Sequence, residues 1–194
     1  MSGTLRVHEI YLSLQGESTF AGLPCVFIRL TGCDLRCSYC DTAYAFTGGE
    51  TLTLDSILEQ TTALAEGYPE PPLVELTGGE PLLQKETPAL LAALADRGFT
   101  VLLETSGAHD ISGVDARVHR IVDLKCPSSG ESDRNLPAIL HHLRASDEVK
   151  CVIGTREDYD WAKTQLRQLF GKCEVLFSWV NPLEADQQSF VRSV

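Results

Sequence analysis

Positive charge is scarce in this chain. Its 194 residues include 16 Lys and Arg against 27 Asp and Glu, which gives a net charge of −11 at pH 7. Nucleic-acid and membrane-surface binding rest largely on Lys and Arg, so phosphate backbones and anionic lipids repel a protein of this charge. The composition therefore argues against nucleic acid as a general partner, although it leaves room for a small basic pocket.

Long hydrophobic runs are absent as well. No segment approaches the roughly 18 consecutive apolar residues that a membrane-spanning helix needs. The first ten residues, MSGTLRVHEI, lack the apolar core of a signal peptide. Hydrophobic residues nevertheless make up 43% of the chain, which suits the core of one globular domain. We therefore expect a cytoplasmic protein that is not bound to a membrane.

The cysteines do not form an even set that could pair. There are seven, and three of them, Cys33, Cys37 and Cys40, fall within eight residues. Cytosolic chains rarely keep structural disulfides, so this C-x3-C-x2-C spacing indicates a metal site. Closely spaced thiolates select zinc or an iron–sulfur cluster. The other cysteines stand singly and are expected to pack as small buried hydrophobic side chains, at positions 25, 126, 151 and 173.

No fourth ligand accompanies the three cysteines, because their loop contains no histidine and no further cysteine. A structural zinc ion is normally enclosed by four protein ligands. A [4Fe–4S] cluster held by three thiolates instead keeps one iron atom without a protein ligand, and that atom can bind a small molecule. The spacing favours such an open cluster. A zinc site completed by a distant cysteine is the alternative.

Short apolar runs alternate with amphipathic segments along most of the chain. The runs are rich in Val, Leu and Ile, as is typical of strands buried in a parallel sheet. We predict six strands, at residues 25–31, 73–77, 100–104, 121–125, 149–153 and 174–178. Helical spacing is found at residues 54–65, 90–94, 139–143 and 159–170.

This alternation predicts parallel βαβ units and an α/β fold. Six strands are too few for a closed eight-stranded barrel, so we expect a partial, open TIM-like barrel. Residues 5–15 are expected to add an N-terminal strand or hairpin. Ligands of such folds bind beyond the carboxyl ends of the strands. Polar groups occur there: the cysteine loop, Gly78-Gly79-Glu80, Glu104-Thr105-Ser106-Gly107 and Lys125.

The cysteine loop resembles the signature of the radical S-adenosylmethionine (SAM) superfamily, in which an aromatic residue, here Tyr39, precedes the last cysteine. The resemblance implies one radical SAM domain over residues 1–194, with a short N-terminal extension at about 1–22. It also implies that Cys33, Cys37 and Cys40 bind the [4Fe–4S] cluster. The open iron atom then chelates SAM, whose reductive cleavage gives methionine and a 5′-deoxyadenosyl radical.

Further segments resemble one family of that superfamily, the 7-carboxy-7-deazaguanine synthases of 7-deazapurine (queuosine) biosynthesis. The resemblance is specific from about residue 7 to 127 and general from 128 to 178. The segments that carry it are Ser13-Leu14-Gln15-Gly16-Glu17, Gly22-Leu23-Pro24, Phe27-Ile28-Arg29-Leu30-Thr31-Gly32-Cys33, Cys40-Asp41-Thr42, Thr77-Gly78-Gly79-Glu80-Pro81, Glu104-Thr105-Ser106-Gly107 and Asp123-Leu124-Lys125-Cys126-Pro127.

This second resemblance implies a reaction. A hydrogen atom is taken from C6 of 6-carboxy-5,6,7,8-tetrahydropterin, the ring contracts to 7-carboxy-7-deazaguanine, ammonia leaves and SAM is regenerated. It further implies Mg²⁺, a flavodoxin- or ferredoxin-type reductant and a homodimer. The chain ends without the Gln-x-His-Lys-like segment that helps to close the pocket in similar proteins. A late SAM-contacting loop aligns with Asn181-Pro182-Leu183-Glu184.

The resemblance also implies roles for individual residues. Thr42 is implied to bind Mg²⁺, and the alternative is that its hydroxyl caps the loop. Glu104 is the candidate for a catalytic role. SAM contacts are implied for Tyr39, Cys40, Asp41, Gly79, Asp123, Leu124 and Lys125. Substrate contacts are implied for Leu14 and Gly16 through their backbones, and for Gln15, Arg29 and Thr77.

Arg29 and Lys125 stand out without the resemblance, because each is a charged residue inside an apolar strand. A buried guanidinium needs an anionic partner and binds carboxylates with two parallel hydrogen bonds. The substrate carboxylate is one such partner for Arg29, and an internal Asp or Glu is the alternative. For Lys125 the alternative is a salt bridge at the mouth of the barrel.

Two other functions remain open from the sequence. An activase that makes a glycyl radical on a partner protein shares the cysteine spacing, but has no need of Gln15 or Arg29 as small-ligand groups. A non-catalytic iron–sulfur or zinc module has four protein ligands and no need of Gly79.

Overall fold

The computed structural model describes residues 3–169 and 171–180. One sheet of eight strands runs through this part of the chain, in the spatial order β3-β1-β2-β4-β5-β6-β7-β8. The strands are β1 (Thr4–Leu14), β2 (Pro24–Leu30), β3 (Glu50–Thr53), β4 (Leu73–Gly78), β5 (Val101–Ser106), β6 (His119–Asp123), β7 (Glu148–Ile153) and β8 (Glu174–Trp179).

The six predicted strands are all present, within two residues of their predicted ends, and neighbouring ones pair in parallel. Strand β1 pairs with β2 and β3 in antiparallel orientation, as the predicted N-terminal hairpin requires. Strands β3 and β8 form the two edges, so the described sheet does not close into a barrel. The prediction of an open α/β barrel is confirmed.

Three helices cover one face of the sheet: α1 (Leu54–Ala65), α2 (Thr87–Asp96) and α3 (Arg156–Leu166). Their apolar residues pack with alternate strand residues in the main core, among them Ile57, Leu91, Val74 and Leu76. Thr53 caps α1 by accepting a hydrogen bond from the backbone N–H of Ser56. None of the described helices is long and apolar enough to cross a membrane.

The opposite face carries no α-helix among the described residues. A second, smaller core lies there, formed by Cys25, Phe27, Leu73, Leu102 and Ile121. The loop between β1 and β2 crosses this face, and its Phe20 packs edge-on against His119 at a ring-centre distance of 4.9 Å. Residues 15–23, here called the floor loop, therefore cover the lower part of this face. The carboxyl ends of the strands are left open.

The helix predicted at residues 139–143 is wrong. The connection between β6 and β7 contains only short 3₁₀ turns, the last at Ile139–His141. Three apolar residues within five positions span little more than one turn, too few to secure a helix by packing. Tertiary contacts decide instead: buried Arg120 binds Asp147 through Nε (3.1 Å) and donates to the carbonyl oxygen of His142 (2.7 Å).

This buried ion pair generates a stability prediction. Arg120 and Asp147 are 3% and 1% exposed, and removing one partner of such a pair leaves an uncompensated buried charge. We expect Asp147→Asn to lower the free energy of unfolding by about 3–5 kcal/mol, measured by urea denaturation under anaerobic conditions. The exposed Asp133→Asn is the matched control, and equal stability of the two variants would contradict the role of the pair.

Candidate functional site

A pocket of ≈ 510 Å³ opens on the helix-free face, at the carboxyl ends of the parallel strands. It brings together most of the residues predicted from the sequence, although they are spread over more than a hundred positions. Those that line it are Gln15, Gly16, Arg29, Cys33, Cys37, Tyr39, Cys40, Asp41, Thr42, Thr77, Gly79, Glu104, Asp123 and Lys125.

Two predicted residues do not line the pocket. Leu14 is 62% exposed at the end of β1, and Leu124 is buried in the main core beneath the helices. The sequence implied a backbone contact for Leu14, which the exposure of its side chain does not address. Leu124 was assigned by alignment alone. Asn181 to Glu184, aligned with a late SAM-contacting loop, lie outside the described residues.

The cysteine loop follows β2 and packs against the turn after β4. Glu80 donates its backbone N–H to the carbonyl oxygen of Gly32 at 2.8 Å. A Cβ atom at Gly79 would lie 2.0 Å from that same oxygen, closer than any side chain is tolerated. Gly79 is therefore required for the loop and the turn to meet. The Glu80 carboxylate is buried and holds β5 by accepting from the backbone N–H (2.8 Å) and hydroxyl (2.7 Å) of Ser106.

The three cysteines offer the thiolates that an iron–sulfur cluster needs. All are free, partly buried and at the wall of the same pocket. Each thiolate of a cubane binds a different iron atom. Three thiols on one wall therefore supply a donor set for three of its four iron atoms.

Contacts from distant segments fix the shape of the cysteine loop. Ser38 donates its backbone N–H to the carbonyl oxygen of Ser129 at 2.9 Å. Asp34 accepts from Arg134 (2.8 Å) and contacts His109 Nε2 (3.0 Å). His109 was given no role from the sequence. The loop is consequently positioned before any ligand arrives, which lowers the cost of ordering it.

Lys125 and Asp123 form an ion pair at the mouth of the pocket, with 2.8 Å between Nζ and Oδ2. Burial opposes the charge of Lys125, but the neighbouring Asp123 carboxylate raises its pKa above the ordinary value. The salt bridge left open from the sequence is therefore present. It does not exclude a SAM contact, since both residues also line the pocket.

Arg29 also has an internal partner. Its Nε donates to Glu9 Oε1 at 2.7 Å, and one terminal nitrogen donates to the Tyr11 hydroxyl at 3.1 Å. Glu9 lies directly across from Arg29 in the β1–β2 pairing. The internal acidic partner left open from the sequence is thus present. In the described part of the chain, no side-chain hydrogen bond reaches the other terminal nitrogen of Arg29. The substrate contact of Arg29 stays a prediction.

Gln15 was predicted to offer its amide to a ligand, and the structure shows what that amide already contacts. Its Nε2 donates to Glu75 Oε2, and its Oε1 accepts from the backbone N–H of Glu17 at 3.0 Å. The loop that carries it is held again at Thr19, whose backbone N–H donates to Glu148 at 3.1 Å. Gln15 thus anchors the floor loop to β4.

Lys150 is a functional candidate that sequence reasoning missed. Its Nζ lies 2.7 Å from Glu17 Oε2 and 3.9 Å from Asp123 Oδ2, and it also hydrogen-bonds to Glu104. Glu104 accepts a further hydrogen bond from the Thr77 hydroxyl at 2.8 Å. One buried ammonium group therefore joins the floor loop, β5 and β6.

The electrostatic effect of Lys150 on Glu104 is large. Burial raises the pKa of the Glu104 carboxyl, but the charge and hydrogen bond of Lys150 outweigh this and lower it well below its usual range. Glu104 is thus ionised at neutral pH, although it lies inside a pocket.

The signal that could have found Lys150 was in the sequence. It stands in the apolar run Val149-Lys150-Cys151-Val152-Ile153, as Arg29 and Lys125 stand in theirs. Glu75, in Leu73-Val74-Glu75-Leu76, carries the same signal. No family motif includes either residue. An unpaired charge in a buried strand is costly, so such residues are candidates on physical grounds alone.

We predict that Lys150→Met lowers the free energy of unfolding at pH 7 by about 3 kcal/mol, because Glu104, whose side chain is 27% exposed, loses its counter-charge. In the native protein the pKa of Glu104 is lowered, so its ionised form stabilises the fold at any pH above the pKa of the unfolded chain. This contribution is lost only as the pH falls below that value. Removing Lys150 takes away the charge and hydrogen bond that lower this pKa most, so the pKa of Glu104 rises and the loss of stability is smaller at pH 5 than at pH 7. Urea denaturation at both pH values measures this. The exposed Lys85→Met is the control, and an equal loss at both pH values would refute the coupling.

Comparisons with known proteins bear on this site. The family model "Radical SAM superfamily" matches residues 27–163. The 7-carboxy-7-deazaguanine synthase of Chlorobaculum tepidum is 45% identical over 178 residues, 89% of this chain and 79% of that protein. The one of Koribacter versatilis is 46% identical over 169 residues, 84% of this chain and 71% of that protein.

The fold has a solved counterpart. The crystal structure of QueE from Escherichia coli superimposes with a TM-score of 0.75, covering 98% of this chain and 88% of that one at 23% identity. At that identity the likeness supports the fold alone. The family model and the sequence relatives carry the assignment: the chain belongs to the 7-carboxy-7-deazaguanine synthase family of the radical SAM superfamily.

Proposed function

We propose that this chain is a radical SAM lyase that converts 6-carboxy-5,6,7,8-tetrahydropterin to 7-carboxy-7-deazaguanine with loss of ammonia, in 7-deazapurine biosynthesis. The observation that carries the proposal is the convergence of two sets of groups on one pocket. The cysteine loop, Gly79 and Lys125 line the same pocket as Gln15 and Arg29. Relatives that are 45% and 46% identical over 178 and 169 aligned residues bear the corresponding name.

Membership of the superfamily implies a [4Fe–4S] cluster and SAM as cofactors. Cys33, Cys37 and Cys40 would hold the cluster. When bound, the pair supplies a 5′-deoxyadenosyl radical that takes hydrogen from the substrate. The protein's part is to bind and orient SAM. We assign this to the predicted residues that line the pocket: Tyr39, Cys40, Asp41, Gly79, Asp123 and Lys125. The position of Tyr39 on the pocket wall supports its assignment to SAM. Burial raises the pKa of its hydroxyl, which therefore stays neutral.

Arg29 is assigned to the substrate carboxylate. Its guanidinium is mostly buried, and Glu9, its present partner, is 39% exposed. An exposed carboxylate can turn toward solvent at low cost. The substrate carboxylate can then bind the guanidinium of Arg29 beside Glu9 or in its place. Gln15 and Thr77, together with the backbones of Leu14 and Gly16, are assigned to the pterin.

Glu104 is assigned a role in stabilising charge. Its lowered pKa makes it a poor proton acceptor near neutral pH, where an effective general base has a pKa close to the working pH. An ionised carboxylate instead stabilises positive charge, such as that on a protonated leaving amine. We propose that Glu104 serves the departure of ammonia in this way.

Mg²⁺ is proposed at Thr42, beside the cysteine loop. The Thr42 hydroxyl donates to Asp41 Oδ1 at 2.8 Å, so a hydroxyl and a carboxylate stand together at the pocket wall. Mg²⁺ prefers oxygen ligands and keeps several waters, and substrate oxygens would complete its shell. A flavodoxin- or ferredoxin-type reductant and a homodimer are proposed as well, on the family resemblance.

Cluster binding is predicted to need three cysteines and no others. Replacing Cys33, Cys37 or Cys40 by Ala should abolish the visible absorbance of the reconstituted cluster, because the loop offers no substitute ligand. Replacing Cys25, Cys126, Cys151 or Cys173 should leave it. Loss of the cluster in Cys126→Ala, with unchanged circular dichroism, would overturn the three-ligand assignment.

Turnover tests the function itself. Anaerobic cluster-loaded protein with reductant, SAM, Mg²⁺ and 6-carboxytetrahydropterin should release 7-carboxy-7-deazaguanine and ammonia, both quantified by mass spectrometry and a coupled assay. Product should exceed consumed SAM many-fold, because SAM is regenerated. Omitting Mg²⁺ from chelator-treated protein should lower the rate.

Two outcomes would contradict the proposal. An activase would consume about one SAM per radical formed and would leave the pterin unchanged. A protein that binds SAM at an intact cluster yet shows no affinity for the pterin would not be a synthase. Cys37→Ala is the control for turnover without the cluster.

A further inference from the structure

Glu75 is a buried acid that neither the family motifs nor the proposed mechanism uses. It stands on β4 with its side chain at the pocket, on the same face as Thr77, while Val74 and Leu76 turn into the main core. Only 3% of the residue is exposed. A carboxyl group removed from water this far is costly unless hydrogen-bond donors surround it.

The described residues supply one donor only. Gln15 Nε2 donates to Oε2 of Glu75, and none of the hydrogen bonds described for the chain reaches Oε1. A carboxylate can accept about four hydrogen bonds in all. The acid therefore keeps acceptor capacity that borders the pocket, and a bound ligand with N–H groups would use it.

The walls beside Glu75 indicate what kind of ligand this is. Phe27 lies directly across from Glu75 in the β2–β4 pairing and stacks on Tyr11, with 5.2 Å between ring centres and 17° between planes. Ile121 of β6, which also lines the pocket, adds a second apolar surface. Flat apolar walls around one hydrogen-bond acceptor suit a planar heterocycle that presents N–H donors at its edge.

We propose that Glu75 determines specificity for the substrate heterocycle, by accepting hydrogen bonds from the ring N–H and amino groups of its 2-amino-4-oxopyrimidine edge. This inference rests on the proposed function and deepens it. Arg29 lies two residues further along the neighbouring strand, across from Thr77, or about 7 Å along the strand direction. A bicyclic ring can therefore place its carboxylate at Arg29 and its amino edge at Glu75.

Protonation adds a second expectation. Burial, followed by the nearby Glu104, raises the pKa of Glu75 to about 8, while Gln15 and Lys150 act in the opposite sense. Glu17 faces it from the floor loop, and the Cys25 thiol, on β2, has its own pKa raised to about 12. N–H donors favour the ionised carboxylate, so ligand binding below pH 8 should release a proton and tighten as pH rises.

The test compares two ligands on cluster-loaded, SAM-saturated protein by anaerobic calorimetry. One is 6-carboxytetrahydropterin, and the other is its 2-oxo counterpart, which has a carbonyl in place of the amino group. The native protein should prefer the pterin at least 10-fold. In Glu75→Gln the amide oxygen still accepts from Gln15, but the amide nitrogen adds a donor where an acceptor is needed. Pterin affinity should fall about 10- to 100-fold and the preference should disappear.

Controls separate this inference from the function on which it rests. SAM affinity should be unchanged in Glu75→Gln, and Glu59→Gln, on the exposed side of α1, should bind both ligands like the native protein. The rise of affinity between pH 6 and 8 should be absent in Glu75→Gln. If the variant keeps the native preference, the assignment of Glu75 is overturned while the synthase function stands. If the native protein binds neither ligand, the proposed function fails, and the role of Glu75 with it.

Discussion

The buried ammonium group of Lys150 is the interaction on which the pocket depends. The pocket side of an open parallel sheet would normally be filled by apolar side chains, as it is in part by Phe27 and Ile121. Beside them the chain places several carboxylates, and Lys150 contacts Glu17 and Glu104. Because each acid lies on a different element, one cation holds the floor loop and the strands in a fixed relation. A polar cavity is thereby kept open inside a protein core.

A second constraint acts on the cofactor side, where backbone rather than charge sets the geometry. Gly79 lets the turn after β4 touch Gly32 of the cysteine loop, and buried Glu80 ties that turn to β5. Ser38 is held by the segment that follows β6. The cysteines are thus fixed from three strands at once, so a cluster bound there would keep a constant position relative to the acids below it.

The sequence was sufficient for the parallel strands, because runs of Val, Leu and Ile report burial on both faces directly. It failed at residues 139–143, where the Arg120–Asp147 pair, invisible in a periodic pattern, decides the path of the chain. It found Arg29 but could not decide its partner, since Glu9 reaches it only through the register of β1 and β2. Lys150 and Glu75 lie outside the family motifs, although both are charged residues in apolar strands, as Arg29 is.

We propose that one pocket holds SAM and the pterin together, so that hydrogen moves from the substrate to the cofactor and back. Turnover of substrate that carries deuterium at C6, followed by mass spectrometry of the recovered SAM, measures this transfer. Deuterium should appear in the SAM pool and accumulate with the number of turnovers. If product forms while SAM stays free of deuterium, the two molecules do not exchange hydrogen in the pocket.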